Sequence, residues 1–195
     1  MTFSLHRKEK IIITAIDILD KFGLQGLTIK RIAEEQGITE PAIYRQFKGK
    51  QDIIMAILDR YAQYDVNIQN TIIEQEMDTN TALIYYAERY AEYYENDRGL
   101  SIIMFSFDIY RYNKENMEKM KQILKTRYDF VKGIIEKGQE KKEIDDDISA
   151  DELTDLFNGI IWSLTYKWNM FGCNGLGNRI KRGVKKLLGI SKVCR

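Results

Sequence analysis

The sequence predicts an all-α protein of about nine helices, with a three-helix helix-turn-helix unit first and a larger helical region after it. Three observations carry this. Apolar residues recur at steps of three and four along almost the whole chain, with no alternating strand pattern of useful length. There is 1 proline in 195 residues, so long helices run uninterrupted. Residues 28–50 describe two short helices around Gly37, the second with a polar, partly cationic face.

The elements follow in order. Ile12, Ala15, Ile16, Leu19 and Phe22 mark one face of a helix from Leu5 to Phe22, and Gly23 suits its C-cap. Thr28 can cap a second helix with Ile29, Ile32 and Ala33 inward, and Gly37 ends it. Thr39 can cap the third helix, Pro41 fits its first turn, and Ile43 and Phe47 face inward. Gly49 and Asp52 mark the start of a long helix from Lys50 to about Glu76. Thr79–Glu95 carries Leu83, Tyr86, Ala87, Tyr90, Ala91 and Tyr94 on one face, and Asp97-Arg98-Gly99 breaks the chain. A short apolar helix from Leu100 to about Tyr110 precedes a long one from Asn113 to about Lys142. Ser149 and Glu152 form a capping box that opens a helix to Phe171. Gly172–Gly177 is a loop, and a last basic helix carries Ile180, Val184, Leu187 and Leu188.

Composition narrows the function classes. An apolar content of 44% suffices for one or two cores. The net charge of +1 means that any nucleic-acid contact must come from a local patch. No run of about 18 apolar residues exists, so no membrane span is expected. The charged start lacks the order of a secretory signal, and Cys173 and Cys194 read as reduced thiols, so a cytoplasmic location is expected. His6 is the only histidine, which leaves no triad, Cys–His pair or His-rich metal site. The glycines of 172–177 follow no strand, and Asp145-Asp146-Asp147 reads as a solvated turn. No catalytic residue, metal or cofactor is expected.

The third helix is the most informative element. With Ile43 and Phe47 inward, Thr39, Glu40, Ala42, Tyr44, Arg45 and Gln46 project outward or sideways, and Lys48 and Lys50 sit just beyond. Short polar groups suit base edges, and flanking cations suit phosphates. Gly26-Leu27-Thr28, Ile32-Ala33, Gly37-Ile38-Thr39 and the run from Ala42 to Lys50 resemble the N-terminal signature of the TetR/AcrR family of transcriptional regulators. The resemblance covers about residues 7–55; beyond them only length and helical pattern match.

That resemblance implies a DNA-binding domain over 1–50 and a ligand-sensing and dimerisation domain over 51–195. It implies that Thr28 holds a phosphate, that Lys30 approaches backbone or base edge, and that Thr39, Glu40 and Ala42 face the groove. Tyr44 and Lys50 would contact phosphates. Arg45 suits either guanine or phosphate. Glu40 suits either cytosine N4 or rejection of wrong sequences. Gln46 replaces a commonly found His and keeps only hydrogen-bonding capacity.

The remainder is rich in aromatic residues. Tyr61, Tyr64, Tyr86, Tyr90, Met104, Phe105, Tyr128, Trp162 and Tyr166 are the expected lining of a pocket for a small hydrophobic effector; plain core is the competing reading. One short reading helix covers few base pairs, so a homodimer on a pseudo-palindromic double-stranded operator is expected. Phe157, Ile160, Ile161, Leu164 and Trp168, with Ile180, Val184 and Leu187, are the expected interface. The basic residues of 179–186 suit a solvated face, or a membrane or DNA surface. The expected function is a ligand-released repressor and not an enzyme. The alternatives are the same fold controlled by protein partners, and a helical adaptor or enzyme without a DNA role.

Overall fold

The computed structural model describes residues 7–189. Expectations on Leu5, His6 and Cys194 lie outside the described residues. The described residues form ten helices and no strand: α1 Arg7–Gly26, α2 Ile29–Gln36, α3 Glu40–Tyr44, α4 Lys50–Glu74, α5 Thr79–Asn96, α6 Arg98–Phe105, α7 Phe107–Arg111, α8 Lys114–Glu140, α9 Ala150–Phe171 and α10 Leu176–Leu187. The all-α expectation holds, with one helix more than predicted. The addition comes from Ser106, whose backbone leaves the helical region at φ −88° and ψ 78°. Its hydroxyl donates to the Ile102 carbonyl at 2.6 Å, a local bond that competes with the helix ladder.

Local signals placed most boundaries. Thr28 is extended and accepts from the Arg31 amide at 3.1 Å, capping α2. Gly37 adopts the left-handed region at φ 62°, and Ile38 N–H reaches the Ala33 carbonyl at 3.0 Å, which closes the end of α2. The Ser149–Glu152 capping box is present in both directions. Thr39 occupies the cap position of α3 but makes no capping bond. Gly23 is left-handed at φ 64° and kinks α1, which then continues to Gly26. Phe22, expected inward, is 48% exposed; the Arg31 guanidinium covers its ring at 4.3 Å instead.

The chain forms two compact units. Among the described residues the first comprises 7–63 and 97–121 and the second 64–96 and 122–189, so α4 and α8 contribute to both. In the first, Ile11, Ala15, Ile18, Leu19, Ile32 and Ile43 make the core under α3. Helix α6 lies directly on α1: a Cβ added at Gly99 would stand 2.2 Å from the Ile16 carbonyl oxygen. In the second, α10 packs against α5 and α9, burying Ile180 and Val184 completely.

Candidate nucleic-acid interface

Helix α3 is held by a few contacts to its neighbours and leaves one side open. Ile43 is fully buried and Phe47 is 4% exposed, fixing the helix from below. Gln36 donates to the Thr14 hydroxyl at 3.0 Å, which ties α2 to α1. Thr39, Glu40, Tyr44, Arg45, Gln46 and Lys48 are all exposed, and Tyr44 shows 53% of its surface. Thr28 and Lys30 are exposed at the start of α2, where Lys30 lies 3.9 Å from Glu34. These residues form a polar surface with cations at its border, as groove reading and phosphate contact require.

Two residues depart from expectation. Ala42 is 5% exposed, so its methyl belongs to the packed side of α3 and not to the reading face. In a helix of five residues, Glu40–Tyr44, a one-position error in face assignment turns a side chain inward. Lys50 is half-buried, and its ammonium donates to the Leu24 carbonyl at 2.9 Å. Burial lowers its pKa from the usual lysine value. It therefore ties the start of α4 to the end of α1 and has two further N–H groups for other acceptors. Lys48 directs its backbone amide to Asp52 at 2.8 Å, which leaves its side chain outward. Sequence reading passed over Lys8, whose ammonium lies 5.4 Å from the Phe47 ring centre and adds a cation beside Lys48. Lys8 and Phe47 stand 39 positions apart, so no local pattern carries this proximity.

The expected effector residues separate by unit. In the first unit, Tyr61 donates to the Met104 sulfur at 3.2 Å, and both are buried; Phe105 is half-buried. In the second, Tyr64 stacks on Tyr93 with ring centres 3.7 Å apart and donates to the Arg89 carbonyl at 2.9 Å. Burial pushes its phenol up to about 12. Tyr86 and Tyr90 lie 4.8 Å apart within the same core. Tyr128 and Trp162 are half-buried, while Tyr166 is 53% exposed and faces away from that core. None of the nine lines a cleft of about 520 Å³ in this unit, between the ends of α4, α5 and α8. Tyr64, Tyr86 and Tyr90 instead pack ring on ring, and Tyr64 and Tyr90 direct their hydroxyls to the Arg89 carbonyl and the Asp65 carboxylate.

The centre of this core is ionic, which the sequence did not reveal. Arg127 holds Asp65 with two bonds, Nε to Oδ2 at 2.7 Å and Nη2 to Oδ1 at 2.9 Å. Tyr90 donates to the same carboxylate, and its ring lies 4.7 Å from the guanidinium carbon. Asp65 and Arg127 are 3% and 4% exposed. Arg127 is thus satisfied within the fold.

The expected interface also needs correction. Phe157, Ile161, Ile180 and Val184 are buried within a single chain, because α10 folds back onto α9 and α5. Ile160 packs on the backbone of α10 at Gly183. Leu164, Trp168 and Leu187 are half-buried. The open side of α9 carries Leu156, Tyr166, Met170 and Phe171, exposed by 51%, 53%, 61% and 73%. Asp145, Asp146 and Asp147 form an exposed turn in which Lys142 pairs with Asp146 at 2.5 Å.

Comparison with known proteins agrees with this architecture. The tetR family of bacterial regulatory proteins matches residues 11–57, and the C-terminal region of YsiA-like proteins matches 59–188. The HTH-type transcriptional regulator YvkB of Bacillus subtilis is 30% identical over 148 residues, covering 70% of this chain and 75% of that protein. The class C tetracycline repressor of Escherichia coli is 38% identical over 65 residues; these are 33% of this chain and only 28% of the repressor. The transcriptional regulator FadR of Bacillus subtilis, solved in complex with stearoyl-CoA, superposes with a TM-score of 0.78 at 20% identity, covering 92% of this chain and 97% of that one. A helix-turn-helix with an open polar reading face, followed by a helical region that matches over most of its length, has one family behind it: the chain belongs to the TetR family of DNA-binding transcriptional regulators.

Proposed function

We propose that the protein is a homodimeric repressor whose hold on a pseudo-palindromic operator is released by a small hydrophobic effector. The observation that carries the DNA half is the exposed surface of Thr39, Glu40, Tyr44, Arg45, Gln46 and Lys48 on a buried base of Ile43 and Phe47. Thr28 and Lys30 extend that surface at the start of α2. A side chain on so short a helix reaches few base edges, so two copies are needed, with their reading helices about 34 Å apart or a multiple of that. The exposed apolar side of α9 at Leu156, Tyr166, Met170 and Phe171 supports pairing through that helix.

Release follows from differential affinity. An effector that binds better to a conformation with another spacing of the reading helices weakens operator binding by that difference and no more. The stearoyl-CoA in the Bacillus subtilis FadR structure supports an apolar effector class. A second reading, the same fold controlled by a protein partner, is favoured by the dense packing of Tyr64, Tyr86, Tyr90 and Tyr93. Selecting bound genomic fragments and then testing release by apolar compounds separates the two. Release by a compound at constant salt supports the first reading. Retention against every compound, with release by a cellular protein, supports the second.

A further inference from the structure

We propose that the cleft between the ends of α4, α5 and α8 is the effector site, and that it takes a single-chain amphiphile with an anionic head. This rests on the ligand-responsive reading above and adds the place and the chemistry. The walls are apolar: Ile72, Ile73, Met77, Ala82, Phe130 and Ile134. Ile73 is 63% exposed, an apolar surface that an alkyl chain would cover. The volume of about 520 Å³ lies within the span of small-molecule sites.

Gly133 lines the same cleft from the interior of α8. Glycine weakens a helix interior relative to alanine. Here a Cβ would meet nothing within 4 Å, so no neighbouring atom demands the glycine, and its missing side chain widens the cleft.

The rim supplies the charge. Lys137 and Lys141, one turn apart on and just past α8, both line the cleft. Neither makes a salt bridge among the described residues, and the Glu143 carboxylate that feels the Lys141 charge is held first by Thr79. By contrast Lys125 pairs with Asp129, Lys132 with Asp151 and Lys142 with Asp146. Of the two acids in the lining, Asp129 is held by Lys125. Glu76, in the turn just past α4, is the acid without an ion pair among the described residues. Two cations over an apolar trough recognise a carboxylate or phosphate head with a hydrocarbon tail.

The test uses the full chain and calorimetry with dodecyl phosphate, dodecanoate, dodecanol and dodecyltrimethylammonium, each below its micellar concentration. The two anions are expected to bind at least about tenfold more tightly than dodecanol, and the cation less tightly than either anion. Whichever anion binds tighter distinguishes a phosphate head from a carboxylate. Lys137→Ala with Lys141→Ala removes the advantage of the anions and leaves dodecanol unchanged, whereas Glu76→Gln strengthens anion binding. Gly133→Leu fills the trough and abolishes binding of all chains; Gly133→Ala, with circular dichroism on both, controls for folding. Equal binding of anion and cation, or binding unaffected by Gly133→Leu in a folded protein, overturns the proposal. Operator release by a compound that still binds the Gly133→Leu protein would overturn this site while leaving ligand-responsive repression intact.

Discussion

Replacing Arg127 with methionine tests the core of the second unit. The substitution removes the guanidinium and keeps much of the side-chain volume. The Asp65 carboxylate, 3% exposed, then retains only the Tyr90 hydroxyl among its partners described above. Two hydrogen bonds of 2.7 and 2.9 Å disappear, and the charge has no route to water. Breaking a buried pair from one side costs about 3–5 kcal/mol, most of it from the stranded partner. With a urea dependence of about 2–3 kcal/mol per M, the unfolding midpoint falls by on the order of 1–2 M. Asp65→Leu combined with Arg127→Met leaves no charge stranded and recovers most of the loss. The assay is urea denaturation followed by circular dichroism on the wild type, both single variants and the double. A midpoint drop below about 0.3 M for Arg127→Met, or a double variant that loses the sum of the singles, refutes the stranded-charge argument.

Gly99→Ala drives a methyl to 2.2 Å from the Ile16 carbonyl, where backbone cannot yield, so α6 must separate from α1 at a cost of about 1–3 kcal/mol, read as a lower thermal midpoint. Tyr64 has a folded pKa raised to about 12, above its unfolded value, so the fold holds the proton longer. The stability it contributes is fully present below pH 10 and is lost as pH rises through 12; Tyr64→Phe flattens the alkaline part of a stability–pH curve. Leu156→Asp with Met170→Asp places charges on the open side of α9 and is expected to convert dimer to monomer in analytical ultracentrifugation, with folding retained. Lys50→Ala removes the bond to the Leu24 carbonyl, lowering stability by about 1 kcal/mol, and makes the salt dependence of DNA binding shallower; an unchanged slope assigns Lys50 to folding alone.

What was legible in the sequence was local. The cap at Thr28, the left-handed Gly37 and the Ser149–Glu152 box each depend on residues a few positions apart, and each stands as read. The buried Ile43 and Phe47 followed from helical spacing, which also exposed the polar side of α3. The failures are non-local. Spacing marks α9 as apolar on several sides but does not say which sides α10 and α5 cover, so it does not separate buried Phe157 and Ile161 from an interface. Aromatic periodicity is the same for a pocket wall and for a solid core, and Tyr64 on Tyr93 belongs to the core. Asp65 and Arg127 stand 62 positions apart, and neither carries a local sign of the other. Ser106 could have been read as a breaker from its composition, but the apolar run on both sides masked it.

The central claim is that residues 28–50 read DNA sequence, and fluorescence anisotropy tests it most directly. A duplex recovered from genomic selection is titrated with the protein between 50 and 200 mM salt, against a scrambled duplex of equal length. Binding to the selected duplex is expected to be at least about 10³-fold tighter, with affinity falling steeply as salt rises. Arg45→Ala would relax preference at one base position if it reads guanine, or weaken all sequences equally if it holds phosphate. Equal affinity for both duplexes, or a preference that survives Thr39, Tyr44, Arg45 and Gln46 all replaced by alanine, contradicts the claim.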